Sequence, residues 1–300
     1  MKLLYQNWGA SSWSVDFIQH ELLADINNLE IEYFTKDNIN LLLDRSEIIN
    51  NNILVISCTS LDYDIALQLI ERIRPIILFQ LSDEHGNKNH WNILGKYTHL
   101  LLREYNINWY NYHNNSIQIP LGYATGFLQQ KKSSDIIPKK MIDRSFNCSF
   151  IGKVKQDREY MINIFQNNMD KTYFKDVHND WDVSKQYYSP SEVYNIYNDS
   201  IFVINGRGYH TLDCYRIYET IVAGAIPVIV GKESEINNTF NYKNNVIPFI
   251  YCNTWDEAVN KCNNLINDYE KLQEMQDNLL LWWREQLLSI KENINNINNI

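Results

Sequence analysis

Few features of this 300-residue sequence point to nucleic-acid binding, membrane insertion or disulfide stabilisation. Lys and Arg together number 27 against 36 Asp and Glu, and no basic tract gathers the positive charge that a nucleic-acid interface needs. No apolar run approaches the roughly 20 residues of a transmembrane helix. The five cysteines contain no Cys-x-x-Cys pair, so we expect buried free thiols and no zinc site.

The N-terminal segment Met1–Gln6 is too short and too polar for a signal peptide. Together with the free cysteines, it predicts a soluble, cytoplasmic protein. Hydrophobic residues make up 45% of the chain and charged residues 21%, which is the composition of a folded protein rather than a disordered one. The length favours two domains.

Short apolar runs alternate with helical patterns in the first half. Runs that are apolar on both faces and are separated by helices predict a parallel sheet covered on two sides. The predicted strands are Lys2–Gln6, Ile31–Phe34, Asn52–Ser57, Pro75–Leu81, Thr98–Leu102 and Ser116–Ile119, with helices near Ser14–Leu23 and Asp62–Ile73.

The alternation starts again in the second half, after a polar stretch without periodicity. Its predicted strands are Phe146–Ile151, Ser200–Ile204, Ala225–Val230 and Val246–Cys252. Its predicted helices are Gln156–Asn167, one capped by Ser189, and Asp213–Ala223, followed by a long, interrupted helical C-terminus that Thr254 caps and that frays at Glu292–Ile300. The pattern predicts an α/β protein of two Rossmann-like domains facing a cleft.

We expect an N-terminal domain at residues 1–125, a linker at 126–143 and a C-terminal domain at 144–300, whose final helices could pack back on the first domain. In such folds ligands bind at the carboxyl ends of the strands. The search for a site therefore concentrates on segments that directly follow a strand.

The segment from Asn198 to Gly231 reads as strand, Gly-rich loop, helix, tight turn and strand. Glycines 206 and 208 allow a sharp turn and a close approach of the backbone to a ligand. The free N–H groups at the start of the following helix favour an anion such as a diphosphate. Arg207 and Arg216 add two cations with paired donors.

Arg216 and Glu219 are three residues apart and share a helix face. An arginine for phosphate and a carboxylate for ribose hydroxyls would suit that face. The same spacing also describes an ordinary ion pair on a helix surface, so the spacing alone leaves both interpretations open.

These residues resemble the signature of exostosin-like inverting glycosyltransferases. The matching elements are Gly206-Arg207-Gly208, the run Arg216–Gly224 with Glu219 in the pattern Arg-x-x-Glu, and Ile226–Ile229. Tyr215 stands where Phe is usual in that family, and Thr220 where Ala is usual. Weaker matches lie at Ile119–Tyr123 and at Arg144–Gly152 followed by Arg158, while Leu81–Glu84 resembles the xylosyltransferase branch.

The resemblance implies a GT-B architecture, with the donor on the C-terminal domain and a glycan acceptor mainly on the N-terminal domain. It implies inverting transfer from a UDP-sugar, xylose first and glucuronate or another hexose next, without an obligatory metal or other cofactor. By the motif match Arg216 and Glu219 contact diphosphate and ribose. Loop position adds the remaining donor-site candidates, which are Gly152, Lys153, Arg158, Arg207, Gly208, His210 and Tyr215.

The catalytic base is expected directly after the strand Pro75–Leu81, because inverting transfer needs a group that removes the acceptor proton. Asp83 is the first candidate, with Glu84 and His85 as alternates and His85 also as an acceptor contact. A turn-forming or helix-capping Asp explains the position equally simply. Trp8 and Gly9, after the first strand, are candidates for the acceptor site, although a core tryptophan is an equal alternative.

Other functions receive less support. Two Asp-x-Asp triplets, Asp62–Asp64 and Asp180–Asp182, match a metal motif, but we interpret the first as a helix cap and the second as a polar loop. A nicotinamide-dependent epimerase would need Gly-x-Gly-x-x-Gly after the first strand, where residues 7–12 do not comply. A glycan- or nucleotide-binding relative without turnover remains the alternative function.

Overall fold

The computed structural model describes residues 1–44, 52–105, 115–155, 157–177, 188–240 and 246–298. The chain forms two compact units. The first comprises Met1–Leu121 with Leu288–Ile300, and the second comprises Gly122–Leu287. The last turns of the C-terminal helix therefore belong to the first unit.

The first unit is built on a six-stranded parallel sheet with the order β2-β1-β3-β4-β5-β6. Its elements are β1 (Lys2–Gln6), β2 (Glu30–Phe34), α1 (Ile39–Leu43), β3 (Asn52–Ser57), α2 (Tyr63–Ile73), β4 (Ile77–Leu81), β5 (Leu100–Glu104) and β6 (Ser116–Ile119), with a π-helical segment at Phe17–Leu22 and 3-10 segments at Gly9–Trp13 and Asn89–Tyr97. Every residue of β3 and β4 is buried, as expected for central parallel strands covered on both faces.

The first Asp-x-Asp triplet is a helix cap, as interpreted from the sequence. The Asp62 carboxylate accepts hydrogen bonds from the amides of Asp64 and Ile65 at the start of α2. The second triplet, Asp180–Asp182, lies outside the described residues. Among the described residues, no group of three or more His, Cys, Asp or Glu is gathered that could hold a metal ion.

The second unit is built on a five-stranded parallel sheet with the order β11-β10-β9-β7-β8. Its elements are β7 (Phe146–Gly152), α3 (Arg158–Asn168), β8 (Thr172–Asp176), α4 (Pro190–Asn198), β9 (Ser200–Asn205), α5 (Tyr215–Val222), β10 (Ile226–Val230), α6 (Glu233–Phe240), β11 (Ile250–Cys252), α7 (Trp255–Leu265) and α8 (Tyr269–Asn298). In the described parts of the chain, no helix is both long enough and apolar enough to cross a bilayer.

Both sheets share one winding order. In each, the second strand lies on one side of the first strand and the third strand lies on the other, so the winding direction changes between β1 and β3 and between β7 and β9. Loops leaving the carboxyl ends of two such strands diverge and open a crevice, which is where doubly wound sheets bind ligands. The fold thus predicts one ligand-binding crevice in each unit, at the carboxyl ends of β1 and β3 in the first unit and of β7 and β9 in the second.

Arg144 fixes α5 to the sheet of the second unit. Its guanidinium donates to four backbone carbonyls, those of Lys139, Tyr197, Ser200 and Ala223. Burial lowers the pKa of this guanidinium to about 10. Three of these carbonyls lie at the end of α4, at the start of β9 and at the end of α5. The Arg144 side chain therefore helps to fix α5, which carries Arg216 and Glu219, beside β7 and β9.

Several features differ from the sequence prediction, including α1, which was not expected, and β11, which was expected from Val246 and begins at Ile250. The edge strand β8 and the helix α6 were not expected, since β8 is only half-buried and α6 is rich in Asn and Ser. The expected fraying from residue 292 is wrong, because α8 is helical to Asn298 and buries Ile294. Lys291 also lies 3.3 Å from Asp25 and 3.7 Å from Glu21, which ties this end of the helix to the first unit.

Candidate functional site

The candidate donor site lies in the second unit, at the carboxyl ends of β7 and β9. β7 ends at Gly152 and is followed by the loop that leads to α3. β9 ends at Asn205 and is followed by the Gly-rich loop that leads to α5. The loops with the predicted donor residues therefore leave the two strands between which the winding changes.

Arg216, the second residue of α5, points back onto the end of β7. Its Nε donates to the carbonyl of Ile151 at 3.1 Å, and its Cζ lies 4.6 Å from the centroid of the Phe150 ring. Its Nη2 lies so close to Gly152 that a Cβ there would overlap it. Its Nη1 is buried and has no hydrogen-bond partner in the described part of the chain.

Arg158, the first residue of α3, approaches the same ring. Its Cζ lies 6.0 Å from the Phe150 centroid, its Nη1 donates to the Lys153 carbonyl at 2.8 Å, and its Nη2 donates to the Arg207 carbonyl. Its Nε is buried without a partner among the described residues. Burial first, and then the charge of Arg216, lower the pKa of Arg158 to about 10.

The guanidinium groups of Arg158 and Arg216 thus both lie near the ring of Phe150. Across the ranges that the structure describes, neither forms an ion pair with a carboxylate, and each keeps one buried N–H without an acceptor. Burying like charges side by side is unfavourable unless an anion joins them. We call Arg158 and Arg216 on Phe150 the arginine pair; its chemistry is that of a site for an anion with several oxygens.

Glu219 lies on α5 one turn beyond Arg216. Its Oε1 accepts a hydrogen bond from the amide of Ala124 at 3.3 Å. Burial raises the pKa of this carboxyl to about 7. Because the ionised form is poorly solvated there, added hydroxyl donors such as those of a ribose would stabilise it.

The side chain of Arg207 does not reach the arginine pair. Its guanidinium forms a two-pronged ion pair with Glu235 of α6, with Nη1 at 3.1 Å from Oε2 and Nη2 on Oε1. It is the Arg207 carbonyl that binds Arg158. A Cβ on the neighbouring Gly206 would lie 2.6 Å from Arg158 Cγ, so a glycine is needed for this approach.

The other donor-site candidates surround this centre. Lys153 contributes its carbonyl to Arg158, and Gly208 donates its amide to the Thr211 carbonyl at 2.9 Å, which closes the loop. His210 is exposed, and Tyr215 is half-buried at the start of α5.

Sequence reasoning missed two participants. Phe150 looks like any core residue of an apolar strand, and only its contact with both guanidinium groups shows its role. Glu235 lies on the helix that was not predicted. The matched stretch Arg144–Gly152 included Phe150 without distinguishing it from its neighbours, and nothing in the pattern indicated Glu235.

In the first unit, Asp83 has the contacts of a structural carboxylate. Its Oδ1 accepts from the amide of Asn87 at 2.8 Å, and its Oδ2 accepts from the amide of Lys88 at 3.1 Å and from Arg103 Nη2 at 3.0 Å. The Asp83 and Arg103 side chains are 2% and 1% exposed. These contacts favour the turn-forming interpretation of Asp83; Glu84 beside it is half-buried and His85 is exposed.

Trp8 and Gly9 lie where the winding changes in the first unit. The indole Nε1 of Trp8 donates to the Ser60 carbonyl at 3.1 Å, and its ring meets Phe34 edge-on. The Gly9 backbone has φ +66°, and a Cβ there would overlap the Ser60 hydroxyl. Trp8 is half-buried, so it is partly packed and partly open to solvent.

Comparison with known proteins gives a family match over more than half of the chain. The family model described as the RXYLT1 C-terminal domain matches residues 126–299. Ribitol-5-phosphate xylosyltransferase 1 of Danio rerio is 28% identical over 218 residues, 64% of this chain, and that of Homo sapiens is 26% identical over 249 residues, 76% of this chain. The chain spans about half the length of these curated relatives, 46% and 55% respectively.

The fold is shared with solved structures at low identity. Anabaena HepE in complex with UDP and glucose superposes with a TM-score of 0.57 at 10% identity, covering 100% of this chain and 99% of that one. Its complex with UDP-glucose gives 0.54 at 9% identity, covering 100% of both chains. The expected fold class of two parallel-sheet α/β domains is confirmed, and so is the likeness to xylosyltransferases; membership of the exostosin-like family stays a prediction.

Proposed function

Because the chain belongs to the RXYLT1 C-terminal domain family, we propose that it is a glycosyltransferase that moves a sugar from a UDP-sugar to an acceptor hydroxyl with inversion. The names of the relatives favour xylose as the sugar and a phosphorylated alditol as the acceptor. Glucuronate or another hexose is the next choice of donor. A relative that binds the nucleotide or glycan without turnover is the alternative.

The arginine pair is the observation that carries this proposal. A nucleoside diphosphate offers several anionic oxygens, and the unpaired N–H groups of Arg158 and Arg216 are donors for them. The first turn of α5, which carries Arg216, adds the positive end of the helix dipole. Glu219 on the same helix would accept hydrogen bonds from the ribose.

The same groups account for departure of the leaving group. As the bond to the anomeric carbon breaks, negative charge develops on the diphosphate, and fixed cations in a partly buried site stabilise it. Two guanidinium groups could supply this charge stabilisation without a metal ion. Metal independence is therefore part of the proposal.

For the base we propose Glu84 or His85 rather than Asp83, whose carboxylate is held by Arg103 and two amides. We expect Asp83→Asn to lower the free energy of unfolding by about 3 kcal/mol, because it leaves the Arg103 charge buried without its partner. We expect the base variant, Glu84→Gln or His85→Gln, to lower kcat with the donor KM and the melting temperature unchanged. Steady-state kinetics and thermal denaturation of the three variants would separate the effect on stability from the effect on kcat. Full kcat in both Glu84→Gln and His85→Gln would show that neither residue is the base.

The reaction itself is tested by incubating the protein with UDP-xylose, UDP-glucuronate or UDP-glucose and ribitol 5-phosphate or glycan acceptors. We expect acceptor-dependent UDP release with UDP-xylose, and a product heavier by one pentose in mass spectrometry. UDP binding without release in any combination would support the alternative of a binding protein. Absence of UDP binding would contradict both the transferase and a nucleotide-binding relative, and would leave only a glycan-binding one.

A further inference from the structure

The Gly-rich loop is tied to a neighbouring helix through the side chain of Arg207. In Gly206-Arg207-Gly208, two of three residues have no side chain and high backbone freedom. The guanidinium of the third, Arg207, donates hydrogen bonds to both carboxylate oxygens of Glu235. A carboxylate and a guanidinium joined through two parallel hydrogen bonds have a defined mutual orientation.

The anchor, Glu235, lies on the helix that follows the neighbouring strand β10. Glu235 is on α6, directly after β10, and its Oε2 lies 3.4 Å from the place where a Cβ on Gly231 would be. The ion pair therefore ties the loop after β9 to the end of β10, on the side away from β7. α6 itself is held through buried Ile236 and Phe240.

A continuous chain of contacts leads from this anchor to the arginine pair. The Arg207 carbonyl accepts a hydrogen bond from Arg158 Nη2, and Gly206 packs against the Arg158 side chain. Arg158 then lies beside Arg216 over Phe150. A shift of the loop would move the carbonyl that holds Arg158 and so change the spacing of the two guanidinium groups.

We propose that Glu235 is a positioning residue for the donor diphosphate: through Arg207 it fixes the carbonyl that orients Arg158. The inference rests on the proposed function, since it assigns the arginine pair to the diphosphate. In this role Glu235 acts through Arg207 and does not itself bind the diphosphate. It also occupies the Arg207 guanidinium, which leaves two arginines, not three, for the anion.

The effect is expected in binding rather than in stability. Glu235 and Arg207 each have 33% of the side chain exposed, and exposed ion pairs add little to the free energy of unfolding. A loop displaced by about an ångström, however, is enough to weaken a site that depends on geometry. A structural role alone would instead lower the melting temperature together with the affinity.

The test is calorimetric titration of UDP into Glu235→Gln, with Glu233→Gln as the matched control. Glu233 is an exposed carboxylate two residues earlier on α6, so both changes remove one negative charge from the same helix. We expect Glu235→Gln to raise the Kd for UDP by about tenfold with an unchanged melting temperature, and Glu233→Gln to leave both unchanged. The exchanged pair Arg207→Glu with Glu235→Arg should recover part of the affinity.

Arg158→Met separates failure of this inference from failure of the proposed function. If Arg158→Met weakens UDP binding but Glu235→Gln leaves it unchanged or strengthens it, Glu235 is not a positioning residue. If Arg158→Met leaves UDP binding unchanged, the donor site itself is wrongly placed. Equal losses in Glu235→Gln and Glu233→Gln would assign the effect to net charge and overturn the inference.

Discussion

Replacing Arg216 with methionine is expected to lower kcat/KM for the UDP-sugar by about a thousandfold. Methionine preserves the length and part of the volume of the side chain but removes the charge that we propose to face the diphosphate. Losing one partner of a buried charged contact costs about 2–5 kcal/mol, and a loss of about 4 kcal/mol corresponds to that factor. The Arg216 Nη1, buried without a partner in the described chain, is the atom whose binding role is lost.

The melting temperature should not fall with the activity. Because Arg158 and Arg216 repel each other in the unliganded protein, removing one charge should leave the melting temperature unchanged or raise it. Arg284→Met, an exposed arginine on α8, is the matched control and should retain full activity. Full kcat/KM in Arg216→Met would exclude this residue from the donor site.

Replacing Gly152 with alanine is expected to weaken UDP binding by about a hundredfold while the protein stays folded. The new Cβ would overlap Arg216 Nη2, which is the far end of a flexible side chain. The guanidinium can therefore move aside without displacing backbone, so stability is retained, but it leaves the position beside Phe150. Misplacement of a binding group by about an ångström is enough for a loss of this size.

A double-mutant cycle distinguishes this cause from a general disturbance of β7. If the alanine acts only through Arg216, Gly152→Ala should have little further effect in the Arg216→Met background. UDP titrations of the two single variants and the double variant give the coupling free energy between Gly152 and Arg216 directly. Additive losses would show that Gly152 acts through something other than Arg216.

The strands that the sequence predicted well are the buried central ones. The runs Asn52–Ser57 and Ser200–Ile204 are continuous and apolar, because both of their faces lie against helices, and this pattern is unambiguous. The edge strand β8, with Lys and Asp among half-buried aromatics, has no such signal. Helix α6 has weak helix formers on its surface and is stabilised by buried Ile236 and Phe240.

The candidate site was predictable where it depended on chain order alone. The motif put Arg216 and Glu219 on one helix face after a Gly-rich loop, and the structure has this arrangement. The direction of the Arg207 side chain depends on Glu235, 28 residues later, and no local pattern encodes that contact. The structural contacts of Asp83 depend likewise on Arg103 from the adjacent strand, 20 residues later.

The most direct test of the central claim is calorimetric titration of the unaltered protein with UDP, UMP and uridine in turn. If the arginine pair binds a diphosphate, UDP should bind about tenfold or more tightly than UMP, because the second phosphate adds oxygens that satisfy the unpaired N–H groups. Uridine should bind most weakly. Equal affinity for UDP and UMP, or no binding of UDP, would contradict the account.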